Sequence, residues 1–277
     1  MNEIERIEAS SQYLATLIRR SHDSVDWLWN RKNLYRRYPL TGLYKDLLDA
    51  CGEPESFSHL LACFREFKQR HFLRIGGRDL LGLASLEEST SQVSDLACVA
   101  LQVGLEILMA HPQWWAGDEG IATWLQLRDD LQLTVMGLGK LGGQELNYVS
   151  DVDLIFLYAS RHRDGLLVAE APVLLNRLCQ WLIRLLSDRT GGDRVFEVDM
   201  RLRPQGKDGP LVPSLAAAAD HYLHHGHPWE RQMLLKARPV AGDRALGMAF
   251  LQEVRPFVFR RFLDFQALDE QIGRAHV

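Results

Sequence analysis

One stretch of this chain, TVMGLGKLGGQELNYVSDVDLIFLY (residues 134–158), constrains the fold more than any other. Leu131, Leu133 and Val135 alternate with Gln132, Thr134 and Met136, which predicts a strand running into a cluster of glycines. DVDLIFLY, from Asp151 to Tyr158, predicts a second strand headed by two acids. Gly137, Gly139 and Gly142 have the spacing of a dinucleotide-binding fingerprint. That fold, however, needs a full helix after the third glycine and an acid about 20 residues on, at the far end of the next strand. Only residues 143–150 intervene here, and Asp151 and Asp153 stand at the near end. A P-loop is excluded as well, because Leu141 follows Lys140 where a magnesium-binding hydroxyl belongs.

The carboxylates give the stretch its chemical meaning. Residues two apart on a strand share a face, so Asp151 and Asp153 are expected to project together, with Val152, Leu154 and Phe156 facing a core. Two close carboxylates repel unless a cation lies between them, and their hard oxygens suit magnesium. A third strand is expected in RVFEVDMRLRP, stopped by Pro204, with Glu197, Asp199, Arg201 and Arg203 on one face. Asp199 would then join Asp151 and Asp153 as a third acid, the set that a two-metal phosphoryl or nucleotidyl transfer requires. Gly142 and Gly143 would let backbone N–H groups approach a phosphate at the start of a short helix. Lys140, Arg201, Arg203 and Lys207 would supply cations for phosphate oxygens, and Ser150 would support the acid pair.

The remainder reads as helix. Residues 1–125 lack strand-like alternation, and Val93, Leu96, Ala97, Ala100, Leu101, Gly104, Ile107 and Leu108 form a core-facing stripe closed by His111-Pro112. REFKQRHFLRIGGR is expected to be helical up to Gly76-Gly77, with most of its charges on a solvated face. Leu174, Leu178, Trp181, Leu182 and Leu185 mark an amphipathic helix ended by Gly191-Gly192. After Pro213, SLAAAADHYLHH and PWERQMLLKAR both read as helical. The expected division is a helical region over 1–125, a catalytic core over 126–212, a helical segment over 213–271 and a tail over 272–277.

Composition narrows the classes. Of 277 residues 47% are hydrophobic and 25% charged, as in ordinary globular proteins. A net charge of -4 argues against a general nucleic-acid surface. No unbroken apolar run of membrane-spanning length is evident, and MNEIERIEAS lacks the layout of a signal peptide. Cys51, Cys63, Cys98 and Cys179 form no C-x-x-C pair, so reduced thiols in a cytoplasmic protein are expected. His221, His224, His225 and His227 crowd together, but no fourth zinc ligand or supporting partner is evident, and an exposed polar helix end is the expectation. Trp114-Trp115 reads as packing rather than a ligand platform.

Two longer segments carry a family resemblance. GLGKLGGQELNYVSDVDLIFLY followed by FEVDMRLRPQGKDGPLVPS resembles the bifunctional glutamine synthetase adenylyltransferase/adenylyl-removing enzymes. The resemblance implies an α+β fold: a polymerase-beta-like nucleotidyltransferase core with a mixed sheet, preceded and followed by helical segments. RLRPQGKDGPLV, WERQMLLKARPVAGD and RPFVFRRFLDF resemble the N-terminal, adenylyl-removing half, whereas the transferase half tends to read RLRPSG and WEHQAL. The implied reaction is phosphorolysis: inorganic phosphate attacks the AMP on a glutamine synthetase tyrosine, giving ADP and free tyrosine and so regulating nitrogen assimilation. The implied metal ligands are Asp151, Asp153 and Asp199 with two Mg²⁺ ions, and the implied nucleotide is ADP or ATP. Glutamine synthetase is the implied partner, and a PII-type signal protein a further one for the full-length enzyme. Adenylyl transfer from ATP, and a fragment that only binds nucleotide or glutamine synthetase, are the alternatives.

The resemblance fades near Gln271. The closing IGRAHV (residues 272–277) matches a translated sequencing-adapter stretch and is expected to be a structurally idle tail of a truncated chain. Such a truncation would leave an apolar face near Phe257, Phe259 and Phe262 partly uncovered.

Overall fold

The computed structural model describes residues 2–29, 32–161, 165–190 and 192–259. The chain divides into two compact units. The first comprises Met1–Glu106, Gln144–Asp151 and Ile183–Glu197; the second comprises Ile107–Gly143, Val152–Leu182 and Val198–Val277. Neither unit is continuous in sequence. The tail 272–277, Phe262 and Gly191 lie outside the described residues.

The first unit is built on six helices: α1 (Glu3–Ser10), α2 (Gln12–Arg20), α3 (His22–Trp29), α4 (Leu40–Cys51), α5 (Phe57–Leu80) and α6 (Leu86–Ala110), whose last turn counts with the second unit. Their starts follow local chemistry. Asn2 caps α1 in a reciprocal box with Glu5, the Glu5 N–H donating to Asn2 Oδ1 at 2.8 Å. Ser11 and Ser56 cap α2 and α5 without such a box, each hydroxyl accepting one backbone N–H, from Leu14 and His59 respectively. Ile7, Leu14, Leu17, Leu28, Leu34 and Leu73 form one core of this unit.

The basic segment departs from expectation twice. α5 continues through Gly76-Gly77 to Leu80, because both glycines face packed neighbours rather than a turn. A Cβ on Gly76 would lie 2.8 Å from Leu14 Cδ1, and one on Gly77 3.2 Å from Ile7 Cδ1. Its polar residues are not simply solvated either: His71, Arg74 and Arg78 are buried. Arg78 donates to the Leu34 carbonyl at 2.9 Å and to Glu88 at 2.8 Å, so burial is compensated by carbonyls and a carboxylate. α6, 25 residues long, holds a stretch apolar enough to cross a membrane, although no unbroken apolar run marks it in the sequence. That stretch is mostly buried within the protein, as in a core helix.

The second unit carries the sheet. α7 (Asp118–Leu127) leads into β1 (Leu131–Gly137), a single turn α8 (Gly139–Gly142), β2 (Val152–Ser160) and α9 (Gly165–Ser187), of which residues up to Leu182 belong here. Then come β3 (Val198–Asp199), α10 (Leu215–Asp220), α11 (Pro228–Leu234), β4 (Arg238–Gly242), α12 (Arg244–Glu253) and α13 (Arg255–Val258). The strand order is β3-β2-β1-β4. β1 runs antiparallel to β2 and β4, with an irregularity between Val135 and Met136 on the β4 side, and β3 runs parallel to β2. The class is therefore α+β with a mixed sheet, as expected.

β1 and β2 are interior strands, and both are buried on both faces. Val152, Leu154 and Phe156 are fully buried, but so are Ile155 and Leu157, which share the face of Asp153 and pack with Met136, Tyr222, Phe250 and Phe257. The acid face is therefore polar only at the strand's start. The expected long third strand shrinks to Val198–Asp199, after which the chain turns. β4 lies inside the segment read as wholly helical; its Pro239 is tolerated because the strand is at the sheet edge. Phe257, expected near an uncovered face, is buried against Tyr222, whereas Phe259 is exposed.

Candidate functional site

The glycine turn and the acids meet through backbone geometry. At the end of β1 the Leu138 N–H donates to the Asp153 carbonyl at 2.9 Å. Gly139 then adopts φ +50, and a Cβ there would sit 2.6 Å from Asp153 Oδ2. Glycine is required twice over at this position, for its left-handed backbone and for the carboxylate leaning over it. Gly142 and Gly143 end α8 rather than start a helix. Their N–H groups donate to the Leu138 and Gly139 carbonyls at 2.8 and 3.1 Å, so they are committed to the turn rather than aimed at a phosphate. Gly142 is needed for another reason: a Cβ there would collide with the Lys236 carbonyl. Arg238, at the start of β4, donates to the Gly142 and Leu141 carbonyls at 3.0 and 3.1 Å. Sequence reasoning missed Arg238, because the strand that carries it was read as helix.

Asp153 and Asp199 are register partners on the parallel pair β2 and β3. Both are partly buried. Asp199 accepts from the Arg201 backbone N–H at 2.8 Å and from Arg201 Nε at 2.8 Å. These bonds to Arg201 hold the Asp199 carboxyl below the usual carboxylate range, against the opposing effect of partial burial. Arg203 is in a turn rather than on a strand face. It donates to the carbonyls of Met200 at 2.8 Å and Lys207 at 3.1 Å, tying the loop that follows β3. Lys140 and Lys207 are exposed. Asp151 is exposed, one residue before β2, and clusters with the first unit. Ser150 donates to Asn147 Oδ1 at 2.7 Å, within the loop that leads to it.

The donor set suits a hard divalent cation in part. Two carboxylates on adjacent strands, one of them over a glycine backbone, are appropriate oxygen ligands for Mg²⁺. Among the described residues no group of three or more His, Cys, Asp or Glu is gathered closely enough to hold a metal. Two of the three expected acids, Asp153 and Asp199, are thus brought together in register, whereas Asp151 belongs to the first unit. The histidine cluster is accounted for structurally. Buried His221 meets Glu230 at 3.0 Å, and the His227 N–H donates to the same Glu230 at 2.7 Å. His224 pairs with Asp220 at the exposed helix end. Trp115 donates to the Leu108 carbonyl and packs edge-on against Trp124, a packing role as expected.

Fold and site together define an α+β protein with paired carboxylates at the head of a mixed sheet, beside a glycine turn. Residues 1–253 match the family described as glutamate-ammonia ligase adenylyltransferase, and the chain belongs to that family. It is 43% identical over 213 residues to a bifunctional glutamine synthetase adenylyltransferase/adenylyl-removing enzyme of Thioalkalivibrio sulfidiphilus, covering 75% of this chain and 21% of the relative. It is 37% identical over 263 residues to the enzyme of that name from Nitrosococcus oceani, covering 94% of this chain and 27% of the relative. The chain spans about a quarter of the length of these curated relatives.

Proposed function

We propose that this chain is the adenylyl-removing nucleotidyltransferase portion of such an enzyme, cleaving AMP from an adenylylated glutamine synthetase tyrosine by phosphorolysis. The observation that carries the reading is the register pairing of Asp153 with Asp199 beside the left-handed Gly139. Asp153 and Asp199, with Asp151 two residues earlier in the chain, are the groups that would hold Mg²⁺. Bound there, the metal would neutralise charge on the α-phosphate and stabilise a departing phenolate.

The protein's own residues supply the rest. Arg201 keeps Asp199 ionised and oriented through its two guanidinium contacts. Arg203 shapes the loop that carries Lys207, and Lys207 and Lys140 are the cations assigned to the attacking phosphate. Arg238 and Gly142 fix the turn that holds Gly139 against Asp153. Ser150 supports the approach to Asp151. The preference for removal over addition of AMP rests on the resemblance of RLRPQGKDGPLV and WERQMLLKARPVAGD to the N-terminal half.

Labelled adenylylated glutamine synthetase, incubated with this protein and Mg²⁺ with and without phosphate, tests the reading. Phosphate-dependent release of labelled ADP is expected. AMP transfer from ATP onto unmodified glutamine synthetase, without phosphate-dependent release, would reverse the direction. Absence of both would leave a binding fragment.

A further inference from the structure

Val149 is 89% exposed, more than any other large apolar side chain among the described residues. The loop that carries it is nevertheless tied down. The Leu146 N–H donates to the Ser94 hydroxyl of α6 at 3.0 Å, in the interior. The Tyr148 hydroxyl donates to Asp79 of α5 at 3.2 Å, and its ring packs edge-on against Phe72 at 5.7 Å. Asn147 Oδ1 accepts from the Val149 N–H at 3.1 Å and from the Ser150 hydroxyl at 2.7 Å. These contacts fix the backbone around Val149 and hold its side chain in water.

Val149 also has apolar company. The bond to Asp79 sets the loop beside the end of α5, where Leu80, Leu83 and Leu86 stand exposed along the turn into α6, Leu86 at 70%. Leu80 and Val149 share the lining of one cavity of about 710 Å³ with Asp151. All of these residues belong to the first unit. Single exposed apolar side chains are ordinary, but a group of them beside a functional acid marks a contact surface.

The position of the group indicates what covers it. Val149 precedes Asp151 by two residues, a span of at most about 7 Å, so a group packed on Val149 is held close to that acid. The rim is apolar, and Arg189 and Arg194 of the same lining are paired with Glu197, so the rim grips side chains rather than phosphate. In the reaction proposed above the AMP is carried by a tyrosine within a protein, which presents polypeptide on both sides of the reacting group. A free nucleotide would leave Val149 and Leu86 in water.

We propose that Val149, with Leu80, Leu83 and Leu86, docks the polypeptide flanking the adenylylated tyrosine, through apolar side chains of glutamine synthetase next to that tyrosine. The inference rests on the reaction proposed above. It assigns to these four residues the preference for a protein-borne adenylyl group over a free one.

Two measurements test it, both on the full chain. The first is binding to immobilised adenylylated glutamine synthetase by surface plasmon resonance. Saturable binding is expected, weakened roughly tenfold in the double variant Val149→Ser, Leu86→Gln, as the loss of two buried apolar contacts requires, and retained in Val149→Ile. The second compares phosphorolysis of adenylylated glutamine synthetase with that of O-adenylyl-N-acetyltyrosinamide, which has no flanking chain. The double variant should raise KM for the protein with kcat kept, and should leave kcat/KM for the small substrate unchanged. Circular dichroism melts establish that the variants are folded. The proposal is overturned by absent or unaltered binding in the first measurement, or by equal losses on both substrates in the second. It is also overturned if the double variant abolishes self-association of this chain while glutamine synthetase binding is kept, which would assign the surface to a second copy. Absence of phosphorolysis of both substrates by the parent would remove the proposed reaction, and the binding measurement would then decide the surface alone.

Discussion

At the scale of single residues the acids differ in what holds them. Asp199 is oriented by Arg201, so Arg201→Ala should return its carboxyl toward the ordinary range, read as a higher pKa by carbon-detected NMR titration. An unchanged Asp199 titration would show that the pairing does not persist in solution. The Asp153 carboxylate instead lies close over the Gly139 backbone. Gly139→Ala imposes the left-handed strain of an L-residue, about 1–2 kcal/mol, and pushes the carboxylate aside. Denaturant melts should show that loss, and phosphorolysis should fall with it. Asp153→Asn and Asp199→Asn should instead abolish most turnover while the melting temperature changes little, since both carboxylates sit at strand ends rather than in the core. A collapse of stability in either would recast the pair as structural.

At the scale of elements, two glycines that look alike in sequence have opposite tolerances. Around Gly142 the obstacles are backbone carbonyls of Lys236 and Gly137, which cannot rotate away. Around Gly76 the nearest obstacle is a terminal methyl of Leu14, and alanine would regain about 1 kcal/mol of helix propensity. Gly142→Ala should therefore cost about 3 kcal/mol, at the upper end of overpacking, whereas Gly76→Ala should lie within about 1 kcal/mol of the parent. Equal effects in urea titrations would refute the distinction. The same contrast explains what the sequence could disclose. Periodicity disclosed α6, β1 and β2, because their apolar spacing is set by the elements themselves. It could not disclose that α5 passes through Gly76-Gly77, since the reason lies in Leu14 and Ile7, far off in the chain. β4 was hidden by its five residues and its proline, while β3 was legible in place but not in length, because only Val198–Asp199 finds a partner strand. Type and spacing foresaw that Asp153 and Asp199 stand on adjacent strands, while Arg238 was not legible, since it binds carbonyls of a turn distant in sequence.

At the scale of the whole molecule, acid should act on the two units in different pH windows. His71 is buried among Trp27, Tyr38 and Phe67, and burial pushes its imidazole down to about 4 although Asp46 stands 3.5 Å away. Arg74 and Arg70 oppose its protonation as well. In the unfolded chain the same group titrates near 6.5. Between those values the unfolded state binds more protons, so stability is complete above about pH 6.5 and declines as pH falls toward about 4. A shift of that size corresponds to about 3 kcal/mol, all of it charged to the first unit. In the second unit the depressed groups are Asp199 and Asp243, held down chiefly by the Arg201 side chain and the Leu246 N–H respectively. Their contribution is present above the ordinary carboxylate range and is lost only as pH falls below it. Hydrogen exchange read by mass spectrometry between pH 7 and pH 4.5, corrected for intrinsic rates, should show protection falling in α3–α5 while β1 and β2 keep theirs. His71→Leu should flatten the dependence in that window. If β1 and β2 lose protection in step with α5, or if His71→Leu leaves the slope unchanged, the acid response does not originate at this histidine.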